Sequence, residues 1–124
     1  MKFSFCLSLQ LQNSLEDLIT SLVLREDERL DTLGRDDLRI IQSSSVFSYS
    51  TDALVLGDFA RVPQSARAKV LDLCAGTGAV SLLLSEQTNA QIIGVELQER
   101  LADMAQRSIT LNQLDNQVQI LQGD

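Results

Sequence analysis

The sequence predicts an α/β fold with a parallel sheet, and three observations predict it. Short apolar runs at "KVLDL", "QIIGVEL" and "QVQILQ" have the length and composition of buried strands. They alternate with helical patterns near residues 79 to 87 and 98 to 112, the order of a parallel sheet with crossover helices. The first run ends in "DLCAGTG", Asp72 to Gly78, a glycine turn of the kind that joins a strand to a helix.

The elements follow in chain order. Residues 13 to 24 place Leu15, Leu18, Ile19 and Leu22 on one helical face, with Asn13 and Glu16 spaced as a capping box, so an N-terminal extension over residues 1–23 is expected to be helical. "REDERLDTLGRDDLR" carries both charge signs and Gly34 and reads as an exposed, solvated connection with at most a short helical turn. "LRIIQ" and "VFSYS", separated by Ser43, Ser44 and Ser45, read as a β-hairpin. In "STDALVLGDFA", Ser50 or Thr51 caps a helix whose apolar face includes Leu54, Val55 and Phe59, and Pro63 marks its end. The helix at 98 to 112 turns Leu101, Met104, Ala105, Ser108 and Ile109 inward, with an Asp103 to Arg107 pair outside.

With 124 residues, 44% of them hydrophobic, the chain can build one domain with a core. A net charge of −7 repels polyanions. The local excess of positive charge at Arg61, Arg67 and Lys69 reads as a solvated linker rather than a phosphate patch. Cys6 and Cys74 match no metal-ligand spacing and there is no His, so neither a metal site nor a disulfide is expected, and the reducing cytoplasm is the expected compartment. "MKFSFCLSLQLQN" resembles a signal peptide, but Gln10 and Gln12 interrupt its apolar run and no small-residue cleavage site follows. No run is long enough to span a bilayer, so no membrane partner is expected.

In such folds the ligand lies beyond the carboxyl ends of the strands. Gly76 and Gly78 let the backbone curl and a ligand approach, although two glycines alone equally describe a plain turn. The dinucleotide motif G-x-G-x-x-G would need a third glycine where Ser81 stands. Asp72 decides more. A carboxylate there opposes a pyrophosphate and favours a cation, by several kcal/mol at about 4 Å for an effective dielectric of about 20. S-adenosylmethionine, with an ammonium, a sulfonium and no phosphate, suits that acid. Glu96 follows Gly78 by 18 residues, near the spacing of a ribose-binding carboxylate, and Asp124 ends the third strand within reach of an adenine amino group. Singly each acid is a polar strand end; three at successive strand ends point to a site.

Asp72, Cys74, Gly76 and Gly78 resemble the first motif, D/E-x-G-x-G-x-G, of class I S-adenosylmethionine-dependent methyltransferases, with Cys74 in place of the first glycine. Residues 24 to 124, including "FSYSTDALVL", resemble bacterial tRNA(Val) adenine-N6 methyltransferases. The resemblance implies a Rossmann-like methyltransferase fold over 24–124, truncated after the third parallel strand and preceded by a helix and a β-hairpin. It implies that Asp72, Cys74, Ala75, Gly76 and Gly78 line the methionyl part of the cofactor, that Glu96 meets the ribose and Asp124 the adenine, that Leu97 is a further cofactor contact, and that Thr51 and Asp52 belong to the segment covering it. A tRNA or other RNA substrate is implied for the full-length enzyme.

Family members hold the acceptor amine with an Asn-Pro-Pro-Tyr or similar segment after the fourth strand. Pro63 is the only proline here and the chain stops at Asp124, so the expectation is an N-terminal portion with no catalytic residue of its own, inactive alone. The first strand would be left bare where the fourth should pair, which invites self-association. The alternatives are an NAD- or FAD-binding oxidoreductase fragment and a non-catalytic Rossmann-like interaction module.

Overall fold

The structure, a computed structural model, describes residues 17, 23–34 and 38–124. The helix expected over 13 to 24 lies outside these residues except at Asp17, Val23 and Leu24. The elements are β1 Glu28–Leu33, β2 Leu38–Ser43, α1 Thr51–Phe59, β3 Lys69–Leu73, α2 Ala79–Ser85, β4 Gln91–Glu96, α3 Glu99–Leu111 and β5 Val118–Gln122. Strands β3, β4 and β5 form a parallel sheet in that order, and β1 and β2 form a separate antiparallel pair. The α/β class and the parallel sheet are as expected.

Because side chains alternate along a strand, the register assigns each residue a face. Val70, Asp72, Ile92, Gly94, Val118 and Ile120 share one face of the sheet. There Ile92 and Val118 enter a core with Leu82 and Leu84 of α2 and Ile109 of α3. Leu38 and Ile40 join the same core from β2, while Ile41 meets Leu101 and Met104 of α3. Strand β2 is thus buried on two sides: every residue but Arg39 is buried, the polar Gln42 and Ser43 included. The inner face expected for α3, Leu101, Met104, Ala105, Ser108 and Ile109, is buried in full.

Two local expectations are corrected. The hairpin partner of "LRIIQ" is Glu28–Leu33 upstream, with Leu30 opposite Ile41 and Leu33 opposite Leu38; "VFSYS" is not a strand. The charged segment read as a solvated connection is therefore β1. Its charges are used structurally: the Arg107 guanidinium donates to both carboxylate oxygens of Glu28 at 2.7 Å, and the Glu28 side chain has no solvent exposure. Arg107 also pairs with Asp103 at i,i+4, as expected, and donates to the Val23 carbonyl, so the pair is half inside rather than outside. Arg25 pairs with Asp103, and Arg100 with Asp27, which also accepts hydrogen bonds from Ser45 and Ser43. Those hydroxyls, then Arg100, hold the Asp27 carboxyl well below the usual range.

The second correction concerns α1. Ser50 is its N-cap residue but makes no side-chain capping hydrogen bond. Its apolar side is Ala53, Leu54 and Gly57, whereas Val55 and Phe59 are exposed. Gly57 sets this rotation, because a Cβ there would sit 2.8 Å from Leu83 atoms of α2, closer than packing allows.

Hydrogen bonds from Arg107 lower the pKa of Glu28. A lowered carboxyl pKa adds stability above the unfolded-state value, and this stability is lost as pH falls through the folded value. Glu28→Gln is expected to cost about 2 kcal/mol at neutral pH, the range for hydrogen bonds to charged groups. In urea titrations the gap from the wild type should narrow in acid.

Candidate functional site

The site forms where β3 and β4 end. Cys74, Gly76 and Gly78 all have positive φ, at 61°, 57° and 84°. Glycine takes that conformation freely, whereas Cys74 pays on the order of 1 kcal/mol for it. At Gly78 glycine is required twice over, since a Cβ would also lie 3.1 Å from the Ala105 Cβ of α3. A Cβ at Gly76 would meet nothing within 4 Å, so the turn presents its backbone to open space.

Glu96 holds that turn. It is buried, and its two carboxylate oxygens accept from the Gly76 N–H at 2.8 Å and the Gln98 N–H at 2.9 Å. The Ala75 N–H donates to the Val95 carbonyl, and the Gly123 N–H to the Glu96 carbonyl. The end of β4 therefore anchors the glycine turn, the start of α3 and the end of β5. Asp72, on the sheet face that carries Glu96, accepts a 2.6 Å hydrogen bond from the Ser81 hydroxyl in the first turns of α2. Burial pushes the Asp72 carboxyl above its usual range, against the pull of the Ser81 hydrogen bonds.

A cavity of about 170 Å³ lies over the turn. Cys74, Ala75, Gly76, Thr77, Ala79, Val80 and Leu101 form one wall, and Phe47, Tyr49, Ser50 and Ala53 the other. Of the residues singled out in the sequence, Cys74, Ala75 and Gly76 line the cavity. Thr51 and Asp52 are exposed in the first turn of α1, between the lining residues Ser50 and Ala53. Asp72 stands behind the turn, Gly78 at the start of α2, and Glu96 at the edge. Leu97 and Asp124 are exposed beyond the strand ends. The resemblance puts "FSYSTDALVL" over the cofactor but singles out Thr51 and Asp52, so sequence reasoning did not name Phe47 and Tyr49, which line the cavity.

Residues 70–124 match the family model described as "Methyltransferase domain". These residues are methyltransferase-domain sequence. Over 87 residues the chain is 37% identical to the tRNA1(Val) (adenine(37)-N6)-methyltransferase of Haemophilus influenzae strain PittEE, an alignment covering 68% of this chain and 37% of that protein. It thus spans little more than a third of that relative's length. Among solved structures, Pyrococcus horikoshii TYW2 in complex with MeSAdo superposes with a TM-score of 0.64 at 14% identity, covering 81% of this chain and 37% of that one. The Pyrococcus abyssi tRNA (uracil-54, C5)-methyltransferase, in complex with S-adenosyl-L-homocysteine, gives 0.61 at 16% identity, covering 82% and 25%. These superpositions establish a Rossmann-like methyltransferase fold, and the matches favour the methyltransferase resemblance over the oxidoreductase alternative.

The raised pKa of Asp72 has a definite sign. The folded state binds that proton more tightly than the unfolded chain, so stability declines as pH rises through the window between the unfolded and the folded value. Asp72→Asn removes the titration. Thermal melts at pH values rising from the ordinary carboxylate range should show the variant losing less stability than the wild type.

Proposed function

We propose that the chain binds S-adenosylmethionine and forms the donor side of a cytoplasmic methyltransferase that acts on adenine N6 in tRNA. The observation that carries this reading is the open-faced glycine turn, with one carboxylate behind it and another at its edge. The residues fit the group: bare backbone at Gly76 admits close approach, and the Asp72 and Glu96 carboxylates around the turn favour a cation over a phosphate. At about 170 Å³ the cavity is smaller than the roughly 300 Å³ and upward of sites that enclose whole small molecules. The methionyl end would occupy it, on Cys74, Ala75, Gly76 and the start of α2 at Gly78.

The ribose would follow along Glu96 and Leu97 and the adenine toward Asp124, with Thr51 and Asp52 in the cover. Each Glu96 oxygen that already accepts one backbone N–H keeps a lone pair for a ribose hydroxyl. When bound, the cofactor supplies an activated methyl group on sulfur. The protein's contribution is positioning and electrostatics: Asp72 places negative charge near the cation, and the aromatic segment at Phe47 and Tyr49 restricts water. The tRNA assignment draws on the similarity to the Haemophilus protein. With a net charge of −7 and a single proline, these 124 residues offer neither a basic footprint nor an acceptor-gripping Asn-Pro-Pro-Tyr segment. By themselves they bind the donor without transferring its methyl group.

Calorimetric titration of the chain with S-adenosylhomocysteine and with NAD tests the reading. Saturable binding of the adenosyl ligand and none of NAD is expected; the reverse preference would overturn it.

We also infer self-association. Strand β3 is an edge with Leu71 and Leu73 exposed, and Leu121 of β5 is exposed on the same sheet face, which no described element covers. Light scattering should report species larger than a monomer at high concentration, and the Leu71→Lys, Leu73→Lys double variant should restore the monomer.

A further inference from the structure

The structure assigns Gln42 as a positioning residue that clamps the two walls of the cavity together. Gln42 lies on β2 and is completely buried, an unusual place for a long amide unless its hydrogen bonds are specified. Its amide nitrogen donates to Thr77 Oγ1 at 3.0 Å, in the glycine turn, and to the Ile41 carbonyl. Its carbonyl oxygen accepts from the Tyr49 N–H at 3.2 Å, in the covering segment. One side chain therefore touches both walls from behind, at the one residue flanked by Gly76 and Gly78 and at the aromatic segment opposite.

Those walls belong to separate sheets. The turn is fixed by β4 through Glu96, whereas the covering segment continues from β2 and has no strand pairing of its own. An amide fits this task because it donates in one direction and accepts in the other, which neither an alcohol nor a carboxylate does over the same span. With the clamp made, the cavity has a fixed width and the cover is ordered before any ligand arrives. Binding then costs less ordering entropy. The inference rests on the proposed adenosyl function only for the identity of the occupant; the clamp itself is a property of the fold.

The test uses three variants of the chain. Gln42→Met keeps the volume and removes all three hydrogen bonds of the side chain, the two to the cavity walls included. Thr77→Val keeps the shape and removes the acceptor, and Thr77→Ser keeps the hydroxyl and loses only a methyl group. Amide hydrogen exchange at Tyr49 reads the clamp, calorimetry with S-adenosylhomocysteine reads its effect on the cavity, and circular dichroism verifies folding. Gln42→Met and Thr77→Val should each speed exchange at Tyr49 and weaken the ligand by about tenfold, the scale of one hydrogen bond. Thr77→Ser should match the wild type, and the Met/Val double variant should be no worse than either single one. Packing alone predicts the opposite order, with valine tolerated and serine impaired, and that order would overturn the inference, as would unchanged exchange and affinity in folded Thr77→Val. If the wild type binds no adenosyl ligand while Thr77→Val still loosens Tyr49, the functional proposal fails and the clamp stands.

Discussion

The geometry of the site depends on one buried carboxylate. Glu96 sits at the end of the middle strand and satisfies backbone N–H groups from two loops at once, the glycine turn at Gly76 and the entry to α3 at Gln98. Backbone donors without strand partners need other acceptors, and here the side chain of a buried residue meets two part-buried ones where strand pairing has run out. Without it the turn after β3 would keep its glycines but lose its fixed distance from β4. Everything placed by that turn, from the Asp72 to Ser81 bond to the wall carrying Thr77, follows from this tie.

Two groups of charged side chains among the described residues position the site. One ties the amino-terminal hairpin to α3: Arg107 with Glu28 and Asp103, Arg25 with Asp103, and Arg100 with Asp27. The other is the pair of acids on one sheet face, Asp72 and Glu96, neither of which has a cationic partner among its described hydrogen bonds. The first group is neutralised within the fold; the second leaves carboxylates without a cationic partner behind the glycine turn and at its edge, an arrangement that favours a positively charged ligand over a negative one.

The parallel half of the fold was legible because its signals are local. KVLDL was placed at its observed bounds, and the other two strands and both helices of this half to within about two residues, since apolar runs, helical periodicity and the glycine turn agree with one another there. The amino-terminal half was harder. Glu28 and Arg107 are ordinary surface residues to any reading that sees only neighbours in sequence, yet they are joined across 79 positions. The same holds for Gln42 and Thr77, 35 apart. "VFSYS" has strand composition, but β1 competes successfully for β2 because it supplies Leu30 and Leu33 opposite Ile41 and Leu38. The rotation of α1 was set by Gly57, whose significance appears only once Leu83 is known to lie against it.

The docking of β2 onto α3 carries a kinetic consequence. The Ile41 N–H donates to Ser108 Oγ, and Asn112 exchanges hydrogen bonds with the backbone of Arg39 in both directions, spanning 67 and 73 residues. Closing loops of that size is entropically expensive until α3 exists to receive the hairpin. The β3 to β5 unit should consequently assemble early and the hairpin settle onto it late. Among the described residues, the lid over the crevice would then fold last and open first.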